Sequence, residues 1–422
     1  MDKIQKVSEI LFYFLSWFLL IWLSFFAVPV YENSWKLIVG ALLVNLIASF
    51  AKRKSEIKNI FTEKENIFLL LYFGVSAIGV LWAENKIVAL DVYLKLFLPG
   101  PILYFLFKNE LVLVKNKNSL NMIISIFGSL VALFAVLETI FHSNILYKGF
   151  IYNPFYATFS LHQRAMATQF IPQVLGTYLV SCICCAFYFV FFDKNMLKKV
   201  IGFAAALLMS LSIFLTGTRG AFAALIFSIA AYLRLKNRRL LFIFCILIFA
   251  IILVFNSVEY PLGRLGLRSL LEADHYRNRI QQYNIAMRMV RDYPFKGVGL
   301  GHYQKSFNRY FNKRYKTEYI SEGDKTPDNM FLMMLCETGL FCLLFFAIFI
   351  FSLLKRVYKY IKSREKNYAA VFSLFNGVLT ILISMLFYDS LYWVVPLYIF
   401  WIYCGMLAAI IEDTKDGQKL SA

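Results

Sequence analysis

Arginine residues at the ends of apolar segments are the first candidates for chemistry in this sequence. Arg219 lies in the run Thr216-Gly-Thr-Arg-Gly220, at the junction of two apolar stretches. An ionisable side chain so close to membrane hydrocarbon is energetically costly and often marks a functional site. The helix predicted to begin at residue 220 would add unpaired backbone N–H groups, so the turn could bind an anion. The alternative is an interfacial arginine that extends to the lipid headgroups.

Two further arginines, Arg277 and Arg279, begin a stretch with helical periodicity. Its apolar face is predicted to consist of Ile280, Tyr283, Met287 and Val290. Two guanidinium groups within one turn could clamp a diphosphate through bidentate hydrogen bonds. The alternative is a solvated helix face. Arg164, at the outer start of another predicted span, is a further candidate for an anion site.

Two acidic residues near the start of a long apolar span are candidates for proton transfer or binding. Asp328, in Thr326-Pro-Asp-Asn329, could act as a general base, or it could cap the helix that follows. Glu337 lies nine residues further on, which is about 13 Å along a helix axis. At that depth a carboxyl group must face the interior of a helix bundle and find a partner there.

Glycines are concentrated in the run Pro294-Phe-Lys-Gly-Val-Gly-Leu-Gly-His302. A nucleotide-binding loop is excluded because no βαβ unit surrounds the run. A tight structural turn is the favoured interpretation. Lys296 and His302 are then candidates to line a ligand site beside it.

Membrane helices are the elements that must position these residues. Of the 422 residues, 60% are hydrophobic and 16% are charged, whereas soluble domains are typically about half apolar and a quarter charged. The net charge of +19 does not indicate a nucleic-acid binder, because the basic residues lie in short segments between apolar runs. The seven cysteines lie within apolar runs, and neither a metal site nor a cofactor is predicted.

The predicted fold class is an all-α integral membrane protein with about twelve transmembrane helices. Spans are expected at 10–31, 36–50, 66–83, 87–107, 120–141, 165–192, 199–216, 220–234, 239–256, 329–354, 367–388 and 391–411. Every second connection is basic, which places both termini in the cytoplasm.

The predicted topology divides the chain into four parts. Spans 1–9 form a bundle within residues 1–256, and spans 10–12 occupy 329–411. The long loop 257–328 between them is expected on the outer face, where it carries site residues, because loops of this length are usually functional when ordered. Residues 412–422 are expected to form a cytoplasmic tail.

Three motifs in this order resemble the O-antigen ligase and O-antigen polymerase superfamily, which are bacterial inner-membrane glycan transferases. They are the Thr-Gly-Thr-Arg-Gly turn, the Arg279-x-x-x-Tyr283-x-x-Ala286 helix leading into Asp-Tyr-Pro-Phe-Lys-Gly-Val-Gly-Leu-Gly, and the Pro-Asp-Asn-Met-Phe-Leu…Glu-Thr-Gly opening of the tenth span. The motifs cover roughly residues 216–340, and the predicted topology fits the whole chain.

The resemblance implies a reaction on the periplasmic face of the inner membrane, within the membrane lipids. A glycan carried on undecaprenyl diphosphate would be transferred to an acceptor hydroxyl, with inversion and without a metal. The acceptor would be a lipid A-core sugar for a ligase, which is the favoured assignment, or the growing glycan for a polymerase.

The resemblance also implies roles for individual residues. Arg219 and Arg279 match the arginines of the family, and Arg164 and Arg277 are weaker additions to a diphosphate site. Asp328 stands where ligases of the family usually carry His, so Asp328 is the candidate base, with His275 and His302 as alternatives. Tyr283, His302 and Glu337 are assigned to binding of the diphosphate or the glycan.

Two other classes of function remain open at this point. A flippase for the same lipid-linked glycan is expected to line a central cavity with charges along several spans. The polar candidates in this sequence instead lie at one predicted membrane face. A structural membrane scaffold is the third interpretation, and it would leave the outer arginines freely replaceable.

Overall fold

The computed structural model describes residues 18–25, 27–52, 63–111, 118–141, 164–169, 171–254, 273–315, 326–365 and 367–420. Helices joined by turns make up these residues, and none of them forms a strand. The prediction of an all-α fold is therefore confirmed for the described part of the chain.

Fifteen helical segments are used as landmarks below. The first is α1 at residues 18–25. It is followed by α2 (Ala27–Lys52), α3 (Lys64–Gly79), α4 (Lys86–Val92), α5 (Pro99–Leu111), α6 (Asn118–Phe141), α7 (Pro172–Phe192), α8 (Met196–Thr216), α9 (Arg219–Lys236), α10 (Arg238–Val254), α11 (Ala273–Asp292), α12 (Tyr303–Tyr315), α13 (Met330–Ser363), α14 (Tyr368–Met385) and α15 (Val394–Leu420). A π-helical stretch, Tyr93–Phe97, connects α4 to the turn before α5.

Seven helical segments among the described residues are long and apolar enough to cross a membrane. They are Lys86–Leu111, Leu120–Phe141, Pro172–Phe192, Met196–Thr216, Met330–Ser363, Tyr368–Met385 and Val394–Glu412. The chain is therefore a multi-pass membrane protein. The predicted count of twelve is not confirmed, because the apolar part of α2, Lys36–Ile47, is short and α10 has 17 residues. Residues 10–17 and 26 of the predicted span 10–31 lie outside the described residues.

Two predicted span boundaries were wrong. The connection expected between residues 31 and 36 is helical, because α2 begins at Ala27 and carries its Pro29 in the first turn, where proline is tolerated. The span expected from residue 165 begins instead at Pro172. Before it, the backbone N–H groups of Met166 and Ala167 donate to Glu138 Oε2 rather than to a helix of their own.

Two helices, α7 and α15, form the centre of the bundle. The first packs against α8 and α14, and the second packs against α5. Trp401 on α15 is fully buried, and its ring centroid lies 5.5 Å from that of Phe73 and 5.7 Å from that of Phe349. Aromatic side chains bury large areas at moderate entropic cost, so this cluster stabilises the middle of the bundle.

A second, smaller core joins α11 and α12 to the first turns of α13. Its buried side chains are Ile285, Ala286, Met289, Tyr303, Phe307, Phe311, Met333 and Cys336. The predicted apolar face of α11 was wrong in part, because Ile280 and Met287 are exposed. Both faces of α11 carry apolar residues at helical spacing, and contact with α12 and α13 decides which face is buried.

The connections of the bundle separate into two ends. At one end, Lys108 Nζ lies 2.8 Å from Glu412 Oε1. Arg356 Nη2 lies 2.8 Å from Glu65 Oε2 at the same end. At the other end lie the α8–α9 turn, the α11–α12 pair and the start of α13. The alternation of basic and other connections along the chain stays a prediction. The compartment that each end faces stays a prediction.

Candidate active site

The α8–α9 turn is built by short-range signals in its sequence. Gly217 adopts φ 58°, in the left-handed region, and ends α8. The Thr216 hydroxyl lies 2.6 Å from the Thr218 hydroxyl and accepts a hydrogen bond from the Thr218 backbone N–H at 3.2 Å. These contacts let α9 begin directly at Arg219. The sequence therefore places an arginine in the first turn of a long helix, where the backbone N–H groups have no intrahelical acceptor.

Arg164 is held beside this turn by segment 164–169. The Nε of Arg164 donates to the carbonyl oxygen of Thr216 at 2.7 Å, and Arg164 is only 8% exposed. The next residue, Ala165, donates its backbone N–H to Leu215 at 3.1 Å. Two backbone contacts to the end of α8 therefore fix Arg164 near Arg219, although 55 residues separate them in the sequence.

Arg279 and Asp328 meet from two other elements. Arg279 on α11 places its Nη2 3.3 Å from Oδ2 of Asp328, which immediately precedes Asn329 at the start of α13. Both side chains are partly exposed. The pair connects the smaller core to the membrane helices.

Asp328 does not cap α13. The N-cap is Asn329, whose side chain accepts from the Leu332 backbone N–H at 3.0 Å. Asp328 itself has φ 46°, a left-handed conformation that is uncommon for a residue other than glycine. The capping alternative for Asp328 is therefore wrong, because its neighbour does that work and Asp328 is turned toward Arg279.

One cavity brings these residues together. It has a volume of about 200 Å³. It is lined by Arg164, Gln173, Thr177, Gly217, Thr218, Arg219, Gly220, Ala221, Arg279, Gln282, Asp328, Ser384, Phe387 and Tyr388. Four of the predicted site residues, Arg164, Arg219, Arg279 and Asp328, therefore share its wall.

The charge of the cavity wall is positive. Three arginines face one aspartate, and the first turn of α9 adds the positive end of a helix dipole. Burial raises the pKa of Asp328 above its usual range, and the nearby Arg279 guanidinium opposes that rise. A cavity with these groups can hold a multivalent anion and keep one carboxylate beside it.

The segment after α14 supplies cavity residues that sequence reasoning missed. Phe387 packs on Gly220, where a Cβ atom would lie only 2.8 Å from the Phe387 Cβ. Asn329 holds the same segment by donating from Nδ2 to the Leu386 carbonyl oxygen at 3.3 Å. Burial raises the pKa of the adjacent Tyr388 well above its usual value. The only available signal was their position at the predicted outer end of a span.

Glu337 lies away from the cavity and joins three elements. It is 1% exposed. Its carboxylate accepts hydrogen bonds from the backbone N–H groups of Gly301 and Tyr303, both at 3.0 Å, and from the Tyr392 hydroxyl. The prediction that Glu337 faces the interior and finds partners is confirmed. Its partners belong to the protein, and the residue does not line the cavity.

The glycine-rich run 294–302 is a turn that fits into a break in α13. The break is at Gly339, which has φ 80° and ψ −179°. Across it, Leu340 donates its backbone N–H to Pro294 at 2.9 Å and Val298 donates to Cys336 at 2.8 Å. A Cβ atom on Gly339 would lie 2.1 Å from the Phe295 carbonyl oxygen. The two backbones can approach this closely only because the residue is glycine.

His302 also lies outside the cavity lining. Its Nε2 accepts from the Asn85 backbone N–H at 3.0 Å, and its Nδ1 lies 2.7 Å from the Leu300 carbonyl oxygen. The Nε2 contact therefore holds the glycine-rich run against the turn before α4, and the Nδ1 contact lies within the run itself. Nearby, Trp82 Nε1 donates to the Lys296 carbonyl oxygen at 2.9 Å.

The remaining predicted residues are on α11. Tyr283 is partly buried and does not line the cavity. Arg277 and His275 belong to the same helix, but their side chains lie outside the described residues. The cavity instead takes Gln282 from this helix, one turn after Arg279.

The comparison with known families agrees with this geometry. Residues 204–347 match the family model described as O-antigen ligase. Over these residues the chain is similar to that family. No curated protein matches the chain.

The matched region begins within α8 and ends within α13. It includes Arg219, Arg279, Asp328 and Glu337, whereas Arg164 and the Tyr388 segment come from outside it. The match supports a membrane enzyme of the O-antigen ligase or polymerase type. Within the described residues, the cavity is therefore assembled by the matched region together with segments on both sides of it.

Proposed function

We propose that this protein transfers a glycan from undecaprenyl diphosphate to an acceptor hydroxyl at the periplasmic face of the bacterial inner membrane. The reaction is inverting and uses no metal. The acceptor is a lipid A-core sugar, which makes the protein an O-antigen ligase. Both termini lie in the cytoplasm in this proposal.

The observation that carries the proposal is the meeting of Arg164, Arg219 and Arg279 with Asp328 around one cavity. A leaving diphosphate develops negative charge that fixed cations stabilise, and the effect is larger where water is excluded. Guanidinium groups bind phosphate oxygens through two parallel hydrogen bonds. The first turn of α9 contributes backbone N–H groups at the same place.

In the proposed reaction, one proton is transferred and one bond at the anomeric carbon is exchanged for another. The acceptor hydroxyl oxygen attacks the anomeric carbon from the face opposite the diphosphate, and its proton passes to the Asp328 carboxylate. The bond between the anomeric carbon and the diphosphate oxygen breaks, and its electron pair leaves with the undecaprenyl diphosphate. Arg219 and Arg279 stabilise that leaving group, and Arg164 adds a third cation.

Asp328 is preferred to a histidine as the base in this proposal. A carboxylate is a weak base at its usual pKa near 3.9, and burial raises the pKa of Asp328. His302 is engaged through both ring nitrogens and does not line the cavity. The side chain of His275, the other histidine candidate, lies outside the described residues.

The location of the charges favours transfer over transport. A flippase must accompany a charged headgroup across the membrane, so it needs polar groups at several depths. The arginines of the cavity belong to the start of α9, the start of α11 and segment 164–169, all at one end of the bundle.

A reconstituted assay tests the proposal. The protein in proteoliposomes receives undecaprenyl-diphosphate-linked glycan, with and without lipid A-core, and products are separated by size. A single adduct that requires lipid A-core is expected. A ladder of lengthening glycan without added acceptor would identify a polymerase. Movement of the donor across the bilayer without transfer would overturn the proposal in favour of a flippase.

A further inference from the structure

Two glutamines of the cavity carry acceptors that have no partner in the described part of the chain. Gln173 and Gln282 both line the cavity, on α7 and α11. The Oε1 atom of each is buried and has no hydrogen-bond partner among the described residues. Leaving a buried acceptor unsatisfied costs about 1–3 kcal/mol. Two such atoms around one cavity indicate that a ligand supplies the missing donors.

The diphosphate cannot supply them. An ionised phosphate carries acceptor oxygens only, so it satisfies arginines and backbone N–H groups but not a carbonyl oxygen. The missing donor must be an O–H or N–H group. In the proposed donor substrate, the nearest such groups belong to the sugar that is joined directly to the diphosphate.

The position of Gln282 places an amide side chain next to a cationic side chain in the cavity. Arg279 and Gln282 are three residues apart on α11, so their side chains lie on one face of the helix. The charged group and the amide can therefore contact adjacent parts of one ligand. Gln173 approaches from the first turn of α7, next to Thr177, which also lines the cavity.

We propose that Gln173 and Gln282 bind the sugar attached to the diphosphate by accepting hydrogen bonds from its hydroxyl or amide N–H groups. This inference rests on the proposed function, because it assigns the neutral part of the same cavity. The two glutamines are specificity-determining residues: they favour a first sugar with donors at matching positions and disfavour one that lacks them.

Binding measurements with two ligands separate the sugar from the diphosphate. The full chain in nanodiscs is titrated with undecaprenyl diphosphate and with undecaprenyl diphosphate carrying one sugar. The wild-type protein should bind the sugar-bearing ligand more tightly. Gln173→Leu and Gln282→Leu should each reduce that gain about three- to tenfold and leave the affinity for undecaprenyl diphosphate unchanged. Gln281→Leu, on α11 outside the cavity lining, is the matched control and should change neither affinity.

A change in the ligand provides a test that needs no altered protein. A sugar that lacks the hydroxyl donating to one of the glutamines should bind the wild-type protein more weakly by the same factor. This loss of affinity should vanish in the leucine variant of that glutamine, which has no acceptor for the hydroxyl. If removal of the hydroxyl lowers the affinity of the wild type and of both leucine variants equally, the inference is overturned.

The outcomes also separate this inference from the proposed function. If undecaprenyl diphosphate binds and Arg219→Ala abolishes that binding, the diphosphate site stands. If the sugar then raises the affinity of both leucine variants by the same factor as that of the wild type, only the role of the glutamines is refuted. If undecaprenyl diphosphate does not bind the wild-type protein, the proposed function fails, and this inference fails with it.

Discussion

Arg279 Nη2 lies 3.3 Å from Asp328 Oδ2, which pairs the proposed cation for the leaving group with the proposed base. At this contact, two effects on the pKa of Asp328 oppose each other. The guanidinium lowers the pKa of Asp328, while burial raises it, and the net shift is upward. A diphosphate that draws Arg279 toward itself would weaken the ion pair and make Asp328 more basic when the donor is bound.

Asp328→Asn should lower kcat by about 10²–10⁴-fold, the usual contribution of general base catalysis. The amide keeps the size of the side chain but cannot take the proton. Binding of undecaprenyl diphosphate should be unchanged or tighter, since one negative charge leaves a cavity that binds an anion. Steady-state kinetics and a binding titration check both parts, and an unchanged kcat would exclude Asp328 as the base.

The pH profile of the wild-type protein should report the same group. Only the deprotonated carboxylate accepts a proton, so the rate should be full above the pKa of Asp328 and fall as the pH drops through it. Because burial raises that pKa, the acid limb should lie above the usual value near 3.9. Asp328→His should move the limb upward toward about 6.5. A limb at the same pH in both proteins would assign it to another group.

Arg219→Ala should reduce kcat/KM by about 10²–10³-fold, as expected for loss of one preorganised charge at a developing anion. Arg219→Lys should recover only part of this, because an ammonium group cannot form the bidentate contact. Arg291→Ala is the matched control, since Arg291 is exposed at the end of α11 and does not line the cavity. If the Arg219→Ala and Arg291→Ala variants are equally active, Arg219 does not stabilise the diphosphate, and a structural membrane scaffold is favoured.

Glu337 variants should lose stability in a fixed order. Glu337→Ala leaves the N–H groups of Gly301 and Tyr303 and the Tyr392 hydroxyl without their acceptor, at a cost on the order of 3 kcal/mol or more. Tyr392→Phe removes one donor and should cost about 1 kcal/mol. Thermal unfolding in detergent, with retained binding of undecaprenyl diphosphate as a second readout, ranks the variants. If Tyr392→Phe proves the more damaging of the two, the three-way contact does not carry the stability assigned to it.

Gly339→Ala should separate the glycine-rich run from α13. The new Cβ would lie 2.1 Å from the Phe295 carbonyl oxygen, and φ 80° is unfavourable for alanine. A lower midpoint of thermal unfolding and lower activity are expected, because α11 and Arg279 depend on this packing. Gly74→Ala is the control: nothing lies within 4 Å of its Cβ position, and alanine favours its helix. Equal stability of the two variants would contradict the close approach.

Much of the site could be predicted from local sequence. The Thr-Gly-Thr-Arg-Gly run contains a helix stop, a left-handed glycine and a helix start, and each depends on neighbouring residues. The end of α11 at Asp292 is also local, because Pro294 disfavours helical geometry in the residue before it. The same local rules predicted a helix start after Asp328, although the choice between Asp328 and Asn329 as the cap depends on one left-handed residue.

Long-range contacts decided the rest. The position of Arg164 beside Arg219 depends on the Thr216 carbonyl oxygen, which lies 52 residues away in the sequence. The buried face of α11 depends on α12 and α13, and no periodicity within α11 distinguishes Ile285 from Ile280. Tyr388 and Gln173 became part of the cavity only because α7, α9 and α14 pack together.

The sequence by itself determined the helical membrane class, several helix ends and the residues able to bind an anion, because hydropathy, glycine and proline act over a few residues. Only the tertiary structure decided which of those residues share a cavity. Glu337 and His302 were both candidates for a ligand site. Glu337 instead accepts from N–H and hydroxyl groups of the protein, and His302 contacts the Asn85 N–H and the Leu300 carbonyl oxygen. The physical reason is that side chains distant in sequence meet through helix packing, and the free energy of that packing is set by all the helices together.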